Sequence, residues 1–383
     1  MHYLIRPEVI GAALFAVVGS GPGQAQEDSV EPHTPSYRVQ ETLVSHLEKG
    51  KQNYLAFPAV AVGEGENYWI SYKRGYAHGR DDEASLEVVE WSPEKEALTG
   101  RGARLAETDI VYQMGEWIRF PDGKLMTFID AQNTDESGRN YRVGLRMAEL
   151  DEAESTFGEI QRLGEVEGVE YGYLFDSATV DGTVYVLVMT FEDLAGERRT
   201  VDVLKTADSG ESWEFVRNLS QEFGDIRINE SSLIAHGDGF LVATRGYDAR
   251  QRLHVVDREF RVLRQVDLTD THDFIEKQIG RPRLFEKDGR YYLIGRNYLP
   301  PDSPAKMEMA LFELDPESLL VKRYWILDNR ERGRVRDGYY PSPFFTKDNG
   351  RELLNVIDYK AIFDEAPDIV RFQFRWNEMV PED

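Results

Sequence analysis

A carboxylate and a guanidinium stand at the two ends of one short hairpin in the middle of the chain. Residues 232–235 and 240–243 are apolar runs of strand type. His236-Gly237-Asp238-Gly239 between them is a tight-turn sequence, because glycine takes positive φ without steric cost. Glu230 precedes the first run and Arg245 follows the second, so closing the hairpin makes the pair neighbours. A second concentration of reactive types is residues 71–80, which hold Lys73, Arg74, Tyr76, His78 and Arg80. Tyr76 and His78 are proton-carrying types, and cations beside them in an acidic chain are expected to face an anionic substrate. Arg281 and Arg283 flank Pro282 and are expected to line the mouth of a channel or to pair with carboxylates. No spacing of His, Asp and Glu reads as a metal site, and no cofactor is expected.

The hairpin that holds Glu230 recurs. Turn sequences lie at Gly63-Glu64-Gly65-Glu66, Pro121-Asp122-Gly123, Asp181-Gly182, Asp238-Gly239, Asp288-Gly289 and Asp348-Asn349-Gly350, about 50 to 60 residues apart. Most are followed by a third and a fourth apolar run, and long helical periodicity is absent. Six four-stranded antiparallel units at a constant period predict an all-β fold, a six-bladed β-propeller over residues 37–378. The sixth unit ends one strand short, and residues 37–46 are expected to supply that strand and close the ring. In such a ring Gln113, Glu116, Tyr171 and Tyr173 fall at inner-strand positions and are candidates for the rim.

The 383 residues carry a net charge of −24, which opposes nucleic acid as a partner and requires a local arginine cluster for any anionic ligand. The chain has no cysteine, so disulfides, thiolate metal sites and cysteine nucleophiles are excluded. Arg6, an apolar run over residues 9–18 and the small residues around Ala25 predict a secretory signal over residues 1–25. Residues 26–36 read as a flexible leader. A secreted or periplasmic monomer with no membrane span is the expectation.

Thr206-Ala207-Asp208-Ser209-Gly210-Glu211-Ser212-Trp213 has the form Ser/Thr-x-Asp-x-Gly-x-x-Trp of the Asp-box. Asp208 is expected to bond turn amides and Trp213 to pack beneath, a structural role. On this motif and the blade period, residues 37–378 resemble the sialidase-like six-bladed propellers. The resemblance implies a glycosidase with Tyr340, in Tyr340-Pro341-Ser342, as nucleophile and Glu230 as its base. It implies Asp81, with Asp82 beside it, as acid/base, and Arg245 and Arg296 as arms of a clamp for the substrate carboxylate. The segment matching the family's first clamp arginine is Ala56-Phe57-Pro58, so one arm is missing and efficient sialic acid hydrolysis is not expected. The substrate class implied is an acidic oligo- or polysaccharide, bound also by Lys73, Arg74, His78 and Arg281. Two other readings stay open: a polysaccharide lyase that uses His78 with Tyr76 or Tyr340 for β-elimination on uronates, and a non-catalytic glycan-binding propeller.

Overall fold

The structure, a computed structural model, describes residues 30–48, 50–79, 81–190, 201–330 and 333–380. The expected signal over residues 1–25 and the expected substrate-facing Arg80 lie outside the described residues.

Six antiparallel sheets are arranged in a ring, each led by its inner strand. Blade I is Tyr54–Val62, Tyr68–Gly75, Ser85–Ser92 and Ala97–Leu105. Blade II begins with Val111–Arg119, Leu125–Thr134 and Asn140–Asp151, and its fourth position is filled by the short pieces Thr156–Phe157 and Gln161–Arg162. Blade III is Tyr171–Val180, Thr183–Thr190, Val201–Thr206 and Glu214–Asn218. Blade IV is Ile228–His236, Gly239–Gly246, Gln251–Val256 and Val262–Asp267. Blade V is Gly280–Lys287, Arg290–Tyr298, Met307–Leu314 and Val321–Asp328. In blade VI, Val335–Gly338 and Ser342–Asp348 share the inner position against Arg351–Ile362, followed by Asp368–Arg375.

The turns that join first and second strands form as their sequences dictate. Asp181-Gly182, Asp288-Gly289 and Asn349-Gly350 all take positive φ at both residues, which matches the twist of a two-residue hairpin. Blades stack face to face, so their middle strands are covered on both sides. Met307–Leu314 is buried along its whole length and Ser85–Ser92 nearly so, with Glu87, Glu90, Glu308 and Glu313 buried among their apolar residues. Val39–Val44 pairs antiparallel with Asp368–Arg375 as the fourth strand of blade VI, so the N-terminal segment closes the ring and covers an edge. The leader differs from expectation. Pro32–His33 pairs in parallel with Tyr324–Trp325 on the outer strand of blade V, and the His33 ring sits against Trp325.

The turn at Asp208 lies on the outer side of blade III. Its carboxylate accepts from the Thr206 hydroxyl at 2.7 Å, from the Ser212 amide at 3.0 Å and from the Ser212 hydroxyl. The Trp213 indole donates to the Gly210 carbonyl at 3.2 Å and packs edge-on against Phe128. Gly210 has φ +86°, and a Cβ there would meet the Phe120 ring at 3.0 Å.

Candidate active site

Inner strands run the same way round the ring, so their first residues form one mouth. In five of the six blades the pairing of the inner strand slips close to that end. The slips fall between Ala56 and Ala59, Tyr112 and Met114, Tyr171 and Tyr173, Ile228 and Ser231, and Gly280 and Arg283. In blade VI the inner position is broken between Gly338 and Ser342. A bulge re-aims a side chain out of the alternating pattern, and the bulges fall at Phe57, Gln113, Glu230, Arg281 and, at the break, Tyr340. Proline follows three of these, at Pro58, Pro282 and Pro341, where no ladder amide is needed. Phe57, Arg281 and Tyr339 have φ of +56°, +47° and +69°, a left-handed conformation that costs free energy in a bulky residue. That strain repeats at one mouth, in blades I, V and VI.

Glu230 and Tyr340 meet there. The Tyr340 hydroxyl donates to Glu230 Oε1, and Arg245 donates to Oε2 of the same carboxylate. The Arg281 backbone amide adds a bond to Oε2 at 3.0 Å. Burial raises the Glu230 carboxyl, but the charge of Arg245, the Tyr340 hydroxyl and Arg281 outweigh it and hold it at about 2. Burial and the Glu230 charge push the Tyr340 phenol up, against Arg245 and Arg296. The resting pair is therefore a carboxylate accepting from a neutral phenol.

Tyr340 is fixed from behind. Its amide donates to Asp358 Oδ1 at 2.8 Å, as does the Tyr359 amide at 2.7 Å. Burial raises the Asp358 carboxyl to about 8. Arg296 lies under the Tyr340 ring, its guanidinium carbon 5.1 Å from the centroid. It donates to the Gly338 carbonyl at 2.6 Å, the Tyr359 hydroxyl at 2.9 Å and the Tyr298 hydroxyl at 3.3 Å. On the other side the Phe57 ring meets Tyr340, Tyr359 and His78 edge-on, with centroids 5.1, 5.4 and 5.0 Å away.

The structure thus brings Tyr340, Glu230, Arg245, Arg296 and His78 together from blades I, IV, V and VI. It places other candidates elsewhere. Asp81 is buried, and its oxygens accept from Lys73 Nζ at 3.0 Å and from the amides of Tyr76 and Ala77. Asp81 organises the 76–81 loop, and no free oxygen faces the mouth, so the acid/base expectation is corrected; Asp82 beside it is exposed. Lys73 is also fully buried, bonded to Gln113 at 2.8 Å and to the carbonyls of Ala77 and His78. It holds the loop rather than a ligand. Arg74 points to the opposite face of its strand, where it bonds the Gln52 carbonyl at 3.3 Å and lies over the Tyr72 ring. Adjacent strand residues alternate sides, so Lys73 and Arg74 never shared one loop surface. Arg281 lies inside the ring, donating to Glu116, to the Phe175 carbonyl at 2.8 Å and to the Tyr173 hydroxyl at 3.2 Å. It forms the floor of the site. Arg283 pairs with Glu116 at 2.7 Å, the second of the two expectations for that segment. Tyr171 bonds Asp202 at 2.9 Å within blade III and is not a rim residue.

Asp337 was not anticipated. It accepts from the Tyr54 hydroxyl, from the Tyr359 hydroxyl at 3.0 Å and from His78 Nδ1 at 3.1 Å. The signal available was its place three residues before Tyr340, in Asp337-Gly338-Tyr339-Tyr340. Among the described residues no group of three or more His, Asp and Glu is arranged to hold a metal ion.

No protein-family model and no curated protein matches the sequence. Solved structures do match in fold. A protein of unknown function from Dyadobacter fermentans superposes with a TM-score of 0.66 at 12% identity, over 89% of this chain and 98% of that one. The K499G mutant of NanB sialidase from Streptococcus pneumoniae gives 0.61 at 9% identity, over 88% and 71%. Trypanosoma rangeli sialidase, captured with 2,3-difluorosialic acid as a covalent intermediate, gives 0.56 at 11% identity over 84% of this chain. The match spans 54% of that longer protein. The fold is that of a sialidase-like six-bladed propeller.

Proposed function

We propose that the chain is an exported glycoside hydrolase acting on an acidic glycan, with Tyr340 as nucleophile and Glu230 as its base. The observation that carries this reading is the bond from the Tyr340 hydroxyl to an ionised, buried Glu230 at the mouth of the ring. A phenol is a weak nucleophile until a positioned base takes its proton, and a buried carboxylate pointing at the hydroxyl supplies that base. A neutral nucleophile also suits an anomeric carbon that carries a carboxylate, which would repel an anionic one. Arg245, whose side chain is 21% exposed, is the cation best placed to meet that carboxylate. Arg296 sits deeper and sets the field under the Tyr340 ring. Where the family resemblance calls for a third arginine, Ala56 is buried and Phe57 occupies the mouth. The glycone is therefore held by fewer charge-assisted bonds, and sialosides are expected to be poor substrates.

The reading is tested with a panel of acidic glycans and a fluorinated glycosyl trap. Release of reducing sugar without an ultraviolet-absorbing unsaturated product, and a covalent adduct on the peptide that contains Tyr340, are the expected results. A 4,5-unsaturated product assigns a lyase instead, and binding without any product assigns a glycan-binding propeller.

A further inference from the structure

With Asp81 closed off, a departing sugar oxygen requires another proton donor. Among the described residues, Asp358 lies fully buried behind the Tyr340 backbone, and the two carboxylates bonded to side chains of the mouth cannot serve. Glu230 is committed to Tyr340 and Arg245. Asp337 accepts three hydrogen bonds and lies 3.9 Å from Arg296. Burial raises the Asp337 carboxyl, but His78, the Tyr54 hydroxyl and Arg296 outweigh it and hold it at about 2, so it carries no proton to give. The partner that Asp337 orients is a different matter. His78 Nδ1 is 3.1 Å from Asp337 Oδ2 and 2.9 Å from the Tyr54 hydroxyl, which itself donates to Asp337. Nδ1 therefore carries hydrogen, and Nε2 is the nitrogen left for a ligand. Half of the imidazole is exposed. Its ring and that of Tyr340 flank the Phe57 ring, which puts their centroids no more than about 10 Å apart. Both rings thus belong to one aromatic cluster around Phe57, and that bound is compatible with the ~5–9.5 Å spacings of catalytic carboxylate pairs.

We propose that His78, oriented by Asp337 and Tyr54, is the proton donor of this site. The assignment rests on the glycosidase reading. As the Tyr340 oxygen bonds the anomeric carbon and Glu230 takes the phenolic proton, the glycosidic C–O bond breaks. Its electron pair stays on the leaving oxygen, which receives the Nε2 proton. Water then attacks the same carbon and gives a proton back to Nε2, while the Tyr340 oxygen leaves and recovers its own from Glu230. An aspartate holding Nδ1–H so that Nε2 exchanges the proton is the arrangement of a serine-protease triad, here built across blades I and VI. The other groups around the ring are Tyr359, with ring centroids 6.5 Å apart, and Lys73 and Gln113, which both bond the His78 carbonyl. Lys73 and Gln113 fix the backbone of His78 from below.

The test compares leaving groups on one glycone. Methyl glycosides need a proton to depart and glycosyl fluorides do not, so both are made from N-acetylneuraminic, glucuronic and galacturonic acids. On the glycone that wild type accepts, His78→Gln should lose on the order of 10³-fold in kcat/KM for the methyl glycoside and about threefold or less for the fluoride. Asp337→Asn, which loosens the orientation of the imidazole, should lose activity on the methyl glycoside and keep it on the fluoride, the same split as His78→Gln in smaller measure. Equal losses on both leaving groups, or no loss on the methyl glycoside, overturn the assignment while hydrolysis itself stands. If wild type hydrolyses neither probe, or Tyr340→Phe hydrolyses the fluoride as well as wild type does, the glycosidase reading falls, and the proton donor with it.

Discussion

Asp208 and Glu230 are both held at about 2, and the causes are opposite. Asp208 sits in an outer turn in water, and the donors of Ser212 and Thr206 lower it with almost no opposition from burial. Glu230 is enclosed at the mouth, where burial pushes its carboxyl up and Arg245, Tyr340 and Arg281 drag it back. A depressed carboxylate is thus no mark of function in itself. In the turn it records hydrogen bonds that shape a loop. At the mouth it records charges assembled from three blades to keep an anion where water would be excluded.

The contrast breaks most sharply at Tyr340. Tyr340→Phe should lower kcat/KM on the accepted acidic glycan by on the order of 10³-fold or more, with the Tm nearly unchanged. Full activity in that variant would reduce the mouth to another structural hydrogen-bond cluster. Glu230→Ala comes next. It leaves Arg245 and the Arg281 amide facing a buried void, so unfolding by urea should show a loss of about 3–5 kcal/mol, together with loss of activity. Glu230→Gln, which keeps the shape and one acceptor, should recover part of the stability and none of the activity.

Ala56→Arg is smaller and of reversed sign from what sequence suggests. Restoring an arginine looks like completing the clamp. Ala56 is instead fully buried beside Leu55, and the neighbouring Phe57 takes the mouth. Forcing a long charged side chain into that core should destabilise by about 1–3 kcal/mol or more and raise no activity on a sialyl-aryl substrate. Efficient cleavage by the variant would show that the segment can turn.

Asp358 ties the mouth to pH. Its folded carboxyl keeps a proton to about 8, whereas an unfolded aspartate loses it near ~4. Between those values the folded chain binds more protons, so this contribution to stability is full below the lower value and is lost as pH rises through the upper one. The Tm should fall from about pH 6 to pH 9, and Asp358→Asn should flatten that fall. An unchanged slope in the variant would place the titration elsewhere.

What was legible in the sequence follows from what is local. The six turns state their own geometry in two or three residues, and their period gives the ring. Glu230 and Arg245 were readable because one hairpin joins them. Asp337 and Phe57 were not, since their partners lie far away in sequence where the last blade meets the first: Asp337 meets His78, 259 positions away. The bulges were equally silent. A one-residue slip in pairing turns a side chain from core to mouth, and nothing in Ala56-Phe57-Pro58 says which residue is turned. Lys73, Arg74 and Asp81 misled for the same reason. Charge in an apparent loop reads as solvent-facing, yet the strand runs on to Gly75 and buries Lys73 and Arg74, and Asp81 is buried against Lys73 and the amides of Tyr76 and Ala77.

Asp208→Ala should have the smallest effect, and it completes the comparison. The carboxylate holds a turn between the third and fourth strands of blade III, on the outside of the ring, and no residue of the mouth touches it. Removing it frees the Ser212 amide and both hydroxyls, which water can satisfy because the turn is exposed. The Trp213 ring still packs on Phe128, and the Gly210 carbonyl still accepts from its indole. A drop in Tm of a few degrees, on the order of what one lost turn bond gives, is expected, with kcat of the folded protein unchanged. Because the Asp208 carboxylate is depressed and an unfolded one is not, its share of stability is present above ~4 and fades as pH falls toward 2. The difference in Tm between wild type and Asp208→Ala should therefore shrink in acid. A change in kcat at neutral pH, with Tm intact, would mean that the outer turn reaches the mouth after all.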